Sequence, residues 1–205
     1  MAIDREIGNR SGEATHLTNL GDCYAALQEW DRARGYQREA IALADDIGFA
    51  QIQSEARLGL AKTQLFAGNL PAAQPSITDA RDKPFPPTQP DIALVAGIIR
   101  LRKNDPADAA EAFREALSQA EQKLTATPGD YAALDTVALA HSGLALTDEP
   151  ADAAQAIAAF HAARAATSAE GIVQGVLRLF DSLTTADHAG ALHHVRTAAA
   201  GTRAT

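Results

Sequence analysis

The sequence predicts an all-α protein made of stacked helix pairs. Almost every segment places apolar residues at helical spacing, and no alternating strand pattern persists. The segment Asp105–Ala112 recurs with small changes as Glu149–Ala156, about 44 residues later, and such a recurrence is typical of repeat proteins. Alanine, the residue with the highest helix propensity, makes up roughly a quarter of the chain.

The composition is that of a folded protein with an acidic surface. The chain has 205 residues, of which 46% are apolar and 21% are charged. Aromatic residues account for only 5%, so the core must consist mainly of Ala, Leu, Ile and Val. The formal net charge is −8 and no Lys/Arg cluster offsets it, which argues against nucleic acid as a direct partner.

Two further features bear on location. No apolar run approaches the roughly 18 residues that a membrane span needs, so no membrane partner is predicted. Cys23 is the single cysteine, so no disulfide can form within the chain. A reducing, cytoplasmic compartment is therefore expected.

The helical segments come in pairs. Apolar residues step by three and four along the first segment, and a second segment with the same spacing follows a short turn. The same reasoning predicts one array over residues 1–205, with pairs at about 13–48, 50–82, 90–127, 130–168 and 169–200.

Residues suited to helix starts support these pairs. Asp31 is a good N-cap for the second helix of the first pair. Pro71, Pro106 and Pro150 each suit the first position of a later helix, because the missing N–H of proline would have no partner there.

The one clear interruption is residues 83–90, which contain four prolines. Prolines prevent helix continuation and favour an extended connector, so this stretch predicts a rigid link between the second and third pairs. The alternative is a proline-rich ligand for another domain.

A signature of small and large residues repeats in the pairs. In the first pair it consists of Leu20, Gly21, Tyr24, Ala33 and Ala40. The corresponding residues are Leu60, Ala61, Ala73, Ile77 and Ala80 in the second pair, Ala96, Gly97, Ala109, Phe113 and Ala116 in the third, and Ala140, Leu144, Ala153 and Ile157 in the fourth. The pattern resembles the tetratricopeptide (TPR) repeat family. The resemblance implies a right-handed α-α superhelix of four to five helix pairs, which acts as a protein–protein interaction scaffold without catalytic residues or cofactors.

The repeats are longer than the common unit. The alanines at the close contact, Ala33, Ala73, Ala109 and Ala153, are separated by 40, 36 and 44 residues (73−33, 109−73, 153−109). The common TPR period is about 34 residues. The chain is thus similar to the 40-residue repeats of bacterial proteins, which implies the repeat region of a larger signalling or regulatory protein.

The small residues also predict how each pair packs. Gly21 on the first helix would let the second helix approach closely at Ala40, and a larger residue at either position would overpack the contact.

The start of the chain predicts a fragment. Arg5–Gly8 is similar to Asp45–Gly48, which closes the second helix of a pair. We therefore expect residues 3–7 to be the end of a helix whose first part belongs to a longer protein.

The resemblance places a binding surface on the first helix of each pair. The residues expected on this concave face are Asp22, Lys62, Phe66, Leu94, Ile98 and Arg102. Phe66, Leu94 and Ile98 would form an apolar stretch, with Lys62 and Arg102 as its nearby cations. Such a groove suits an amphipathic helix or a domain of the parent protein. The alternative is that these residues only pack against one another.

The sequence predicts neither a metal site nor a catalytic site from its histidines and its cysteine. His188, His193 and His194 lack the spacing that puts metal ligands on one helix face, so solvent-exposed positions and no bound metal are expected. Cys23 lacks the companions of a nucleophile and is expected to be a small core residue.

Two other functions stay open. The array could self-associate or inhibit its parent protein, with the groove filled by another copy or by the parent's own domains. It could also sense a small ligand, and a ligand-induced rise in melting temperature would then be expected.

Overall fold

The computed structural model describes residues 8–83, 85–147 and 152–201. These residues form ten α-helices and one 3-10 turn, and no strand occurs among them. The helices are α1 (Arg10–Ala26), α2 (Trp30–Ile47), α3 (Ala50–Phe66), α4 (Leu70–Arg81), α5 (Gln89–Arg102), α6 (Pro106–Ala126), α7 (Tyr131–Leu144), α8 (Asp152–Ala166), α9 (Glu170–Thr184) and α10 (His193–Ala200).

The chain divides into two compact units, one up to Ile92 and one from Ala93 onward, with the boundary inside α5. In the first unit each helix from α1 to α4 packs on the next, and α3 also contacts α1. Its core includes buried alanines and two large aliphatic residues, Leu17 and Ile52. In the second unit α6, α7 and α8 pack in succession, and α10 packs on both α8 and α9. The predicted all-α fold of consecutive helix pairs is confirmed.

Glycines set the close contacts between helices. A Cβ atom on Gly21 would lie 2.6 Å from Cγ of Gln37 and 3.4 Å from the carbonyl oxygen of Ala33, so the second helix does approach Gly21 closely, but at Gln37 and Ala33 and not at Ala40. In the second unit the ring of Phe113 lies against two glycines. An added Cβ would come within 2.6 Å of this ring at Gly97 and within 2.5 Å at Gly143.

Only some helices begin at the residues that the sequence predicted. α6 begins at Pro106, and the side chain of Asp105 accepts a bond from the Asp108 N–H, as expected for proline at the first position. Asp31 as N-cap is wrong, because α2 begins at Trp30 and its N-cap is Glu29. Asp31 lies in the first turn, where a carboxylate still favours the positive end of the helix dipole.

Two other predicted starts fall differently. Pro71 is the second residue of α4, because Asn69 is the N-cap and accepts a bond from the Ala72 N–H. Pro150 lies outside the described residues, as does the segment from residue 3 to 7 that predicted a fragment.

The proline-rich connector is only partly extended. Phe85 is extended, but Pro86–Thr88 forms a 3-10 turn and α5 begins at Gln89. The turn is held by the buried hydroxyl of Thr88, which lies 2.6 Å from the Ser54 hydroxyl of α3. Prolines are compatible with this geometry because a first helical turn does not need their N–H groups.

The prediction that Cys23 is a core residue is wrong, because Cys23 is exposed. The buried residues of α1 include Leu17 and Gly21. Cys23 lies two residues beyond Gly21, which turns its side chain by roughly 200° away from that face.

Candidate protein-binding surface

The six residues of the predicted binding face divide between the two units. Asp22, Lys62 and Phe66 belong to the first unit, and Leu94, Ile98 and Arg102 belong to the second.

In the first unit the three predicted residues lie on α1 and α3. Asp22 is exposed, and its Oδ1 approaches the backbone of Gly59, where an added Cβ would be 3.2 Å away. Lys62 and Phe66 are one helical turn apart on α3, and both are half-buried. α3 thus presents a cation and an aromatic ring side by side, each with part of its side chain accessible.

A buried polar link lies near these residues. Gln37 on α2 is fully buried, and its Nε2 donates to Thr63 Oγ1 over 3.0 Å. Its Oε1 is buried without a hydrogen-bond partner among the described residues. The sequence did contain a signal for this link, because a polar Gln37 interrupts the alanine stripe of Ala33 and Ala40.

A salt-bridge network fixes α3 against both neighbouring helices. Arg57 donates from Nε to Asp79 of α4 over 2.6 Å and from Nη2 to Asp45 of α2 over 2.7 Å. Burial by itself lowers the pKa of Arg57, but the two carboxylates raise the pKa of this guanidinium above its ordinary value. Since Arg57 bridges three helices, it holds the helix that carries Lys62 and Phe66.

The three residues of the second unit are less accessible than expected. Leu94 is 1% exposed and Ile98 is fully buried, so neither can contact a partner while α5 keeps this packing. Arg102, the last residue of α5, is half-buried, and desolvation lowers the pKa of its guanidinium. Of the three residues in the expected apolar stretch, only Phe66 therefore keeps an accessible side chain.

The second unit contains two buried ionisable pairs that the sequence did not reveal. Nη2 of Arg164 on α8 donates to both carboxylate oxygens of Asp135 on α7. Burial raises the pKa of Asp135 to about 6, although Arg164 opposes this shift. Nδ1 of His141 lies 2.9 Å from Oδ1 of Asp152, which joins α7 to the first turn of α8.

The described residues contain neither a cluster of metal-ligand side chains nor a membrane-spanning helix. His188, His193 and His194 are exposed. In residues 8–83, 85–147 and 152–201, no three His, Cys, Asp or Glu side chains form a group that could hold a metal ion. Among the helices of those ranges, none is long and apolar enough to cross a membrane.

Consecutive helix pairs with small residues at their contacts define the class of helical-repeat proteins. Within this class, residues 58–130 match the family model of the tetratricopeptide repeat, so this part of the chain is similar to that repeat. The matched residues extend from α3 to the loop before α7. No curated protein matches the chain. Tetratricopeptide repeats generally mediate protein–protein interaction and typically form non-catalytic scaffolds.

Proposed function

We propose that the first unit binds a peptide segment or a helix of another protein through Asp22, Lys62 and Phe66. The observation that carries the proposal is the placement of Lys62 and Phe66 one turn apart on α3, the helix that Arg57 fixes. A rigid support lowers the entropy that binding must overcome. Because the surface is already ordered, a partner that binds it loses less free energy to the ordering of side chains.

The three side chains specify the chemistry of the partner. Phe66 offers an aromatic surface to an apolar side chain, as interface anchors commonly do. Lys62 would pair with a carboxylate, and Asp22 with a cation or an N–H donor. An amphipathic helix with one acidic and one basic residue beside its apolar stripe meets all three requirements.

The experiment begins with peptides selected on the full chain from a random displayed library, whose affinities are then measured by fluorescence anisotropy. Phe66→Ala should weaken the selected peptides by about 2 kcal/mol, roughly 30-fold in Kd, because truncation of an anchor has that cost. Lys62→Glu should weaken acidic peptides in particular.

Matched controls come from the other unit. Tyr131 is a partly exposed aromatic residue and Lys123 is a half-buried lysine, so Tyr131→Ala and Lys123→Glu change similar groups elsewhere. Peptides that lose equal affinity with the Phe66 and Tyr131 variants would contradict the proposed site. A selection that returns no binding peptide would contradict the proposed function.

A second candidate is self-association. Leu27, just after α1, is 67% exposed, the largest exposure of a large apolar side chain among the described residues. Light scattering at high concentration should then show dimers that Leu27→Glu converts to monomers. A wild-type chain that stays monomeric excludes this candidate.

The biological setting that we propose is the repeat region of a larger bacterial signalling or regulatory protein in the cytoplasm. It is supported by the 40-residue spacing between Ala33 and Ala73 and by the single cysteine. The complete reading frame of the gene would test it, because it would reveal any domain fused to the repeats.

A further inference from the structure

The first unit has a groove at the ends of its helices that neither Lys62 nor Phe66 lines. We name it the turn groove. It lies between the turn from α1 to α2 and the turn from α3 to α4, and its volume is about 540 Å³. One wall comes from the start of α2, and Ala67 and Asn69 form the other. The chain is described without a gap from residue 8 to residue 83, so both walls are complete.

The turn groove is open to solvent. Of its eight lining residues, five are exposed, and the other three, Trp30, Arg34 and Ala67, are half-buried. Pockets for small molecules usually bury about 70–90% of the ligand surface. A lining without a buried residue cannot enclose a ligand to that extent, so the groove suits a peptide segment that lies across it.

Trp30 and Arg34 are the two large half-buried side chains of the turn groove. They are four residues apart on α2, which places them one turn apart on the same helix face. The indole N–H of Trp30 has no hydrogen-bond partner within the part of the chain that the structure describes. The groove therefore offers an accessible aromatic surface directly beside a guanidinium.

The ion pair that Arg34 forms is a weak one. Its Nη2 donates to Asp31, three residues earlier on the same helix. The Asp31 side chain is 94% exposed, whereas that of Arg34 is 25% exposed. Because water solvates such an exposed carboxylate, the pair contributes little to stability. A carboxylate of a partner that approaches Arg34 from within the groove competes with less water and can replace Asp31.

The second guanidinium of the turn groove is already engaged. Arg32 donates to Glu29 over 2.8 Å and to the Tyr24 hydroxyl, and it lies 3.8 Å from the centre of the Tyr24 ring. Arg32 thus neutralises Glu29. The carboxylate of Asp31 is then the charge in the lining that an acidic ligand has to displace.

We infer that the turn groove binds an extended acidic peptide segment in which an aromatic residue stands two positions from Asp or Glu. In an extended chain, residues two positions apart point the same way and lie about 7 Å apart, close to the spacing of two helix residues one turn apart. The aromatic ring packs on Trp30, and the carboxylate pairs with Arg34 in place of Asp31. The inference goes beyond the proposed function, because it concerns a different surface.

Trp30 is the only tryptophan of the chain, so its fluorescence reports on the turn groove directly. The probe is a synthetic peptide of about nine residues, about 30 Å when extended, which contains Gly, Ser, one Phe and, two positions later, one Glu. One control peptide has Gln in place of Glu, and another has Ser in place of Phe. Each is titrated into the full chain at about 0.15 M salt, where the net charge of −8 is screened beyond about 8 Å.

Two variants should change the affinity in opposite directions. Arg34→Gln should weaken the peptide with Phe and Glu roughly tenfold, because a charged hydrogen bond is lost, and should leave the Gln peptide nearly unchanged. Asp31→Asn should strengthen the peptide with Phe and Glu roughly threefold, because the competing carboxylate is gone. A gain in affinity cannot come from a misfolded protein, so Asp31→Asn decides the test even if Arg34→Gln does not fold.

Matched controls come from the other end of the same helices. Arg10 at the start of α1 donates to Asp46 near the end of α2 over 2.5 Å, and both side chains are exposed. Arg10→Gln and Asp46→Asn therefore make the same charge changes about 25 Å of helix away, and they should change the affinity little.

Three results would overturn the inference. Trp30 emission that stays constant up to about 1 mM peptide would mean that no such segment enters the groove. An Asp31→Asn protein that binds no better than the Asp46→Asn protein would mean that Asp31 does not compete for Arg34. If Lys62→Glu weakens the peptide as much as Arg34→Gln does, the peptide lies on the surface of Lys62 and Phe66, which supports the proposed function and rejects the turn groove.

Discussion

Replacement of Gly143 by alanine tests the packing that joins α7 to α6. A Cβ at this position would lie 2.5 Å from Cε2 and Cζ of Phe113, and the Phe113 ring is fully buried. Real Cβ contacts are essentially never shorter than 3.0 Å, so atoms must shift. The ring also packs against Gly97 of α5, where an added Cβ would lie 2.6 Å from it, so it has little room to move away from position 143.

The change in the free energy of unfolding that Gly143→Ala causes is the balance of two opposing effects. Overpacking of a tight core contact costs about 1–3 kcal/mol, and a rigid ring held between two helices belongs at the upper end of that range. Alanine regains about 1 kcal/mol over glycine through helix propensity. We expect a net loss of about 2 kcal/mol in the free energy of unfolding, which lowers Tm by roughly 4–8 °C for a chain of this size.

The assay is urea and thermal unfolding followed by circular dichroism. The matched control is Gly175→Ala, at a helical glycine of α9 where an added Cβ meets nothing within 4 Å. This control should be neutral or stabilising by up to about 1 kcal/mol. Phe113→Leu combined with Gly143→Ala should recover part of the loss, because the smaller side chain makes room. A Gly143→Ala protein as stable as the wild type would refute the reasoning.

Two predictions concern the buried charges. Asp135 has a pKa of about 6 in the folded protein against an ordinary value of 3.8, so its contribution to stability is present below about pH 4 and is lost as the pH rises through about 6. The wild-type protein should therefore gain free energy of unfolding from this residue as the pH falls from 7 to 4, and the Asp135→Asn protein should lack that gain. If both proteins show the same dependence of stability on pH, the raised pKa of Asp135 is contradicted. Arg57→Met should cost roughly 1–3 kcal/mol in urea unfolding, because Asp45 and Asp79 lose their charge-assisted bonds. If Asp79→Asn in the Arg57→Met background costs as much as it does in the wild type, the two residues are not coupled.

Local signals in the sequence were enough to predict the helix pairs and several of their boundaries. Pro106 after Asp105 indicates a helix start from local residues alone. Proline is tolerated at the first helical position, and the carboxylate of Asp105 accepts a hydrogen bond from a backbone N–H of the first turn. Gly21 likewise indicated a close contact, since only a residue without a Cβ permits it. Such features depend on a few neighbouring residues, so a sequence can reveal them.

Accessibility was decided by the tertiary structure. Leu94 and Ile98 have the periodicity of a binding face, but both are buried. Cysteine is a residue type that is often buried, but Cys23 is exposed because it lies on the face of α1 that points away from the buried residues of this helix. Periodicity shows which residues share a helix face, and it does not show what covers that face.

The sequence by itself determined the all-α repeat architecture of this protein, because helix propensity, periodicity and small residues at close contacts act over one helix pair. The tertiary structure alone decided which charges meet. Asp135 and Arg164 are 29 residues apart, and Asp45 and Asp79 converge on Arg57 from different helices. Those pairings depend on how consecutive helices pack against one another, which brings together side chains 12 to 29 residues apart, and no local pattern encodes that packing.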